Sequence, residues 1–218
     1  VDDFPQKDYV RQYISDKEMF DTVIDTYEKN KNGPLFLFGV SMQNHGDYSY
    51  VGDNFDSSIS LVGYDKDYPD VEQYLSLIHE TDKAVENLVS YFESVDEEVV
   101  IVFYGDHQPK LDNDFYNEVS NKDLADVYGK QIKYKVPFFI WTNYEIDRKF
   151  VECTSLNYLL SYVYNIAGIL LPSLFIRTTI SASYSTRPKK SGTKKGFPFF
   201  NIAESGFMNI MGADGRST

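Results

Sequence analysis

Cysteine is nearly absent: Cys153 stands alone in 218 residues. That excludes an intrachain disulfide and any zinc centre built from several thiolates. Cys153 itself reads as a buried or semi-buried bystander. Histidine is almost as sparse, with three in the chain, so imidazole chemistry must draw on His45, His79 or His107. Positive charge is in deficit, 21 Lys and Arg against 33 Asp and Glu for a net −12. This argues against nucleic acid as the main partner, because neutralising phosphates needs a basic surface. No apolar run approaches the roughly 20 residues of a membrane-spanning helix, so the chain is expected to be soluble by itself. The start, Val1-Asp2-Asp3-Phe4, offers no Met, basic n-region or apolar h-region. No signal peptide is read there, and the chain reads as an excised piece.

What is present is a core. Hydrophobic residues make up 42% of the chain, enough for one sizeable α/β domain or a large part of a bigger one. The charge is uneven. Residues 177–218 hold seven Lys/Arg against two Asp/Glu, and residues 1–176 carry the remaining excess of acid. Residues 177–218 read as a basic, irregular, solvated tail; a membrane-surface or polyanion patch is the alternative.

Along the chain, Ser15-Asp16-Lys17-Glu18 is a capping box, followed by Met19, Phe20, Val23, Ile24 and Tyr27 at helical spacing. Asn32-Gly33-Pro34 stops that helix. Leu35–Met42 reads as a first buried strand and residues 43–68 as a long loop, a length that usually signals function or mobility. Pro69 opens a long helix over roughly 70–94, with an apolar stripe of Val71, Tyr74, Leu75, Ile78, Val85, Leu88, Val89 and Phe92. Strands follow at 99–105 and 136–142, with a polar, irregular or weakly helical segment at 108–131 between them. Thr154 or Ser155 caps a helix to about Ala167, with Gly168 as its stop. Apolar strands alternating with amphipathic helices imply an α/β layer structure.

Two of the three histidines follow apolar runs. Val99–Tyr104 ends in Gly105-Asp106-His107, and Leu35–Met42 ends in Gln43-Asn44-His45-Gly46. Open α/β sheets bind ligands at the carboxyl ends of their strands. Asp106 and His107 are therefore candidate ligands of one divalent cation. A carboxylate with a neutral imidazole suits Mn²⁺ or Zn²⁺ better than Ca²⁺, which prefers all-oxygen sites. The plain alternative is a hydrogen-bonded pair closing a turn. His45, flanked by amides and a glycine, can donate to an anionic ester oxygen or simply bond to its own loop. Asp82 lies on the stripe of the long helix, where a carboxylate needs a partner, and reads as structural. His79 reads as a boundary residue. Tyr48, Tyr50, Tyr64 and Tyr68 either line a cleft or pack the loop onto the body.

Together the Phe36–Gly46 and Val102–His107 segments resemble the lipoteichoic acid synthase-like branch of the sulfatase and alkaline phosphatase superfamily. The helix bearing Tyr74, Asp82 and Leu88 and the Thr154–Leu160 segment are similar to that branch too. The resemblance covers about residues 10–172. It implies part of an alkaline phosphatase/sulfatase-like sheet with helices on both faces, taken from a membrane-anchored bacterial protein. Its extracytoplasmic domain would transfer or hydrolyse phosphoglycerol from phosphatidylglycerol, with a threonine nucleophile and usually Mn²⁺ (Zn²⁺, Mg²⁺ or Ca²⁺ being alternatives). By position, Asp106 and His107 would be metal ligands and His45 would contact the substrate phosphate. The nucleophile segment finds no match in the 44 residues before His45, so residues 1–176 read as the C-terminal part of a catalytic domain, inactive without its N-terminal half. Asp47 stands where relatives commonly have proline, and nothing carries over beyond Pro172. An arylsulfatase, a phosphoethanolamine transferase and a non-catalytic anion-binding module are the competing readings. The sheet edge left open suggests homo-association.

Overall fold

The computed structural model describes residues 4, 7–50, 52–120, 134–147, 150, 151 and 153–169. They divide into two compact units. One holds the residues before Phe92 together with Gly105–Pro137, and the other holds Phe92–Tyr104 and the residues from Phe138 onward.

The first unit starts with a hairpin, β1 (Tyr9–Val10) paired antiparallel with β2 (Tyr13–Ile14) across the two-residue turn Arg11-Gln12. Helix α1 (Asp16–Lys29) follows at once. Ser15 caps it as the sequence predicts: its Oγ accepts from the Glu18 amide at 3.0 Å. Helix α2 (Pro69–Glu93) begins on a proline, whose missing N–H costs nothing in a first turn. Its buried positions, Val71, Leu75, Leu77, Ala84, Val85, Leu88 and Val89, largely follow the predicted stripe. Helix α3 (Asn113–Val119) is capped by Asp112, whose side chain accepts from the Asp114 amide. Tyr48, Tyr68, Val71, Leu75, Leu77, Leu111, Phe115 and Val119 form one buried cluster. Phe115 and Val71 have no solvent exposure at all. The cluster therefore ties the long loop, α2 and the segment after His107 together.

In the second unit, β3 (Val100–Tyr104) pairs antiparallel with β4 (Phe138–Thr142), Val102 opposite Ile140. Phe103 and Phe139 are cross-strand partners and stack with centroids 5.4 Å apart. Asn143 closes the turn into β3: its Oδ1 accepts from the Val99 amide, and its Nδ2 donates to the carbonyls of Phe92, Val95 and Glu97. Helix α4 (Leu156–Ile166) follows Ser155 and ends before Gly168, whose φ of +67° is the left-handed stop expected of a glycine.

Helices and strands thus give the α/β chain expected, with two corrections, at Leu35–Met42 and Cys153, and two refinements. Leu35–Met42 forms no strand among the described residues, and Phe36, Phe38 and Val40 are 83%, 69% and 64% exposed. An apolar run becomes a strand only when a neighbour satisfies its backbone, and no described strand is paired with it. Within 108–120 the polar segment contains a true helix, α3, because Phe115 and Val119 face the core. Gly105 serves close approach. A Cβ there would meet the Val136 side chain at 3.3 Å, and the Gly105 amide donates to Pro137 O. Cys153 is exposed, not buried. The basic tail, 177–218, lies outside the described residues. No described helix is long and apolar enough to cross a membrane.

Candidate functional site

His45 sits on a loop that is held from beneath. Arg11 is buried, 5% exposed as a residue. Its Nη2 donates to Gln43 O at 2.9 Å and His45 O at 2.7 Å; its Nη1 donates to Asp47 O at 2.8 Å and Gln73 Oε1 at 3.3 Å. Three alternate carbonyls of the loop therefore converge on one cation. The guanidinium also lies 5.9 Å from the Tyr13 ring centroid and 5.8 Å from that of Tyr48. On the other side, Gln43 Oε1 accepts from the Asp16 amide, and Thr81 Oγ1 donates to Asp16 Oδ2 at 2.6 Å while accepting from Asn44 Nδ2 at 2.7 Å. Asp16 is fully buried, and burial pushes its carboxyl pKa up.

His45 Nδ1 lies 2.6 Å from Gly46 O, which can only accept, and 3.1 Å from the Tyr13 hydroxyl, which can do either; the shorter contact assigns the proton to Nδ1. Tyr13 donates its hydroxyl to the same carbonyl. His45 Nε2 is thereby left as the chemically available nitrogen. The Gly46–Asp47 peptide is cis.

Asp106 and His107 lie just past β3 and are both exposed. Asp106 Oδ1 accepts from the His107 amide. His107 Nδ1 donates to Gln108 O at 2.9 Å, so Nε2 again is the free nitrogen, and it lies 3.6 Å from Asp106 Oδ2. A carboxylate oxygen and an unprotonated imidazole nitrogen at that spacing can meet at one cation, and the donor types fit a divalent metal of the Mn²⁺ or Zn²⁺ kind. No group of three or more His, Cys, Asp or Glu side chains suited to a metal occurs among the described residues. The pair is thus two candidate donors and, among the described residues, not a closed site.

The two loops are neighbours. Tyr48, three residues after His45, and Leu111, four after His107, share the buried cluster. Burial pushes the Tyr48 phenol up to about 12, and the Asp106 carboxylate adds to that shift. The Asp47 carboxyl is lowered, first by hydrogen bonds from the Ser49 hydroxyl and amide, then by Lys110 and Arg11. Tyr116 anchors the second loop by donating to Pro109 O at 2.6 Å. The remaining sequence candidates stay apart from this chemistry. His79 and Asp82 are half-buried on α2, Tyr48, Tyr64 and Tyr68 pack the loop onto the core, and Tyr50 is 45% exposed. Sequence reasoning missed Arg11, Tyr13 and Lys110. For Arg11 the one local signal is a lone charge between Val10 and Tyr13.

A family model, Sulfatase, matches residues 1–169. The chain belongs to the sulfatase family. A second comparison finds this chain 24% identical over 141 residues to a protein of Rhizobium meliloti (strain 1021) whose name reads "Putative cyclic beta-1,2-glucan modification protein". The match takes in 60% of this chain and 21% of that relative, so the chain spans about a fifth of the relative's length. No solved structure matches it. Family membership supports hydrolase or transferase chemistry assisted by a divalent metal at the level of the superfamily.

Proposed function

We propose that the chain is the C-terminal part of the catalytic domain of an extracytoplasmic, metal-dependent phosphoglycerol transferase or hydrolase acting on phosphate esters of lipid headgroups. One observation carries the reading: a single buried cluster anchors both the loop of His45 and the loop of Asp106 and His107. Asp106 and His107 Nε2 would hold the cation, with Mn²⁺ favoured. Such an ion, when bound, supplies positive charge to the phosphoryl oxygens and to the attacking oxygen. His45 Nε2 meets an ester oxygen and, once protonated, donates to it. The threonine nucleophile and the remaining ligands belong to an N-terminal half that completes the domain, in a parent protein anchored to the membrane.

The test is calorimetric titration of Mn²⁺ into this chain and into the Asp106→Ala, His107→Ala double variant. Two ligands predict weak binding, lost in the variant. Identical heats from both proteins would remove the metal assignment and favour a non-catalytic anion-binding module. Tight binding would mean that further ligands reside in this chain.

A second reading is favoured by the Rhizobium relative's name: the transferred group goes to a glucan hydroxyl. Incubating the full-length parent with labelled phosphatidylglycerol and a cyclic glucan separates the two. Label that appears on glucan supports the acceptor, and release as free phosphoglycerol alone rejects it. Substrate panels with aryl sulfates and phosphoethanolamine lipids would expose an arylsulfatase or phosphoethanolamine transferase.

A further inference from the structure

We infer that Arg11 is a positioning residue for His45: its guanidinium gathers the loop carbonyls and thereby fixes the ring's tautomer and the direction of Nε2. The role in substrate contact rests on the phosphate-ester reading above; the clamp itself rests on geometry alone.

Three observations converge. First, both terminal nitrogens of the guanidinium are spent, and its Nε is buried without a hydrogen-bond partner. The terminal nitrogens donate to Gln43 O, His45 O, Asp47 O and Gln73 Oε1, and the residue is buried, so it is not offered to a ligand. Second, carbonyl dipoles of Gln43, His45 and Asp47 aimed at one point repel one another unless a cation sits between them. A planar fork with five donors spans three carbonyls where a single ammonium reaches fewer. Third, Arg11 has φ of +55° at the first central position of a two-residue hairpin turn, where glycine is preferred. A left-handed conformation is unfavourable for a side-chain-bearing residue, so the sequence keeps a strained arginine where glycine would be relaxed. The side chain is what the position needs.

The link from clamp to ring is short. Arg11 holds the carbonyl of His45 itself and that of Asp47, and between them lies Gly46, whose carbonyl takes the Nδ1 proton. Tyr13, two residues after Arg11, donates to the same Gly46 carbonyl. If Arg11 is removed the carbonyls splay, Gly46 O leaves Nδ1, and the ring is free to exchange its proton between nitrogens.

The test is the ¹⁵N spectrum of the imidazoles at pH 9, with His45 assigned by His45→Gln. The Nδ1–H tautomer is expected in the wild type. In folded Arg11→Met both tautomers are expected at comparable population, with Arg11→Lys intermediate. An unchanged His45 tautomer in folded Arg11→Met overturns the inference. Should Arg11→Met not fold, Arg11→Lys decides by the same criterion, and failure of both to fold makes Arg11 a residue of the fold and also overturns it. Inorganic phosphate, added at pH 5 where an imidazole carries both protons, gives the separate arm. It should shift His45 Nε2 in the wild type and not in Arg11→Met. A tautomer that depends on Arg11 with no phosphate response leaves the clamp standing and removes the anion role of His45.

Discussion

At the scale of single residues, the groups that announce themselves in sequence are those whose chemistry is intrinsic. His45, Asp106 and His107 can be singled out because imidazole beside an amide or carboxylate is rare and reactive. Arg11, Tyr13 and Thr81 could not be, since their meaning comes from partners more than 30 residues away, such as Arg11 with Gln43 and Thr81 with Asp16. Two predictions follow from buried titrating groups. The Tyr48 phenol is raised by burial to about 12, so the folded state holds its proton more tightly than the unfolded chain. That contribution is intact below pH 10 and is lost as pH rises toward 12. Thermal melts should show stability falling across that window, and Tyr48→Phe should flatten the fall. Asp16 is likewise raised by burial, so its contribution is present below the ordinary carboxylate range and is lost as pH rises through the folded pKa. Asp16→Asn, which cannot ionise, should remove that pH dependence. Denaturant titrations of both proteins at pH 5 and pH 8 check this.

At the scale of elements, legibility tracks how locally an element is determined. Helices α1 and α2 carry their own caps and stripes, and the strands near 100 and 138 carry β-branched and aromatic residues that pair with each other. The sequence predicts all four to within a few residues. Leu35–Met42 has the same composition as a strand but no ladder partner among the described residues, and pairing is not a property of one segment. Helix α3 is short and mostly polar, so its existence depends on Phe115 reaching the core. Phe115→Ala should cost about 3–5 kcal/mol. Because Tyr48 and Leu111 belong to the same cluster, hydrogen exchange should then quicken in residues 43–48 and 106–111 together. Acceleration of one loop alone would show that the two are anchored separately.

At the scale of the molecule, Leu35, Phe36, Leu37, Phe38 and Val40 present a row of exposed apolar side chains, and an unpaired, uncharged strand-like run invites association. Light scattering should find mass rising with concentration, and Phe36→Lys, Phe38→Lys should hold the chain monomeric. A constant monomer mass in the wild type would refute this. The clamp around His45 also changes what counts as one inherited piece. The readable motif is Gln43-Asn44-His45-Gly46, yet the ring's orientation is written in the Arg11 turn and in Asp16 and Thr81, which brace the neighbouring side chains. Transplanting those four residues into another scaffold would carry the imidazole without its aim. The smallest portable unit runs from the hairpin through the loop, with one turn of α2 as its floor, and substitutions inside it should be tolerated only in concert.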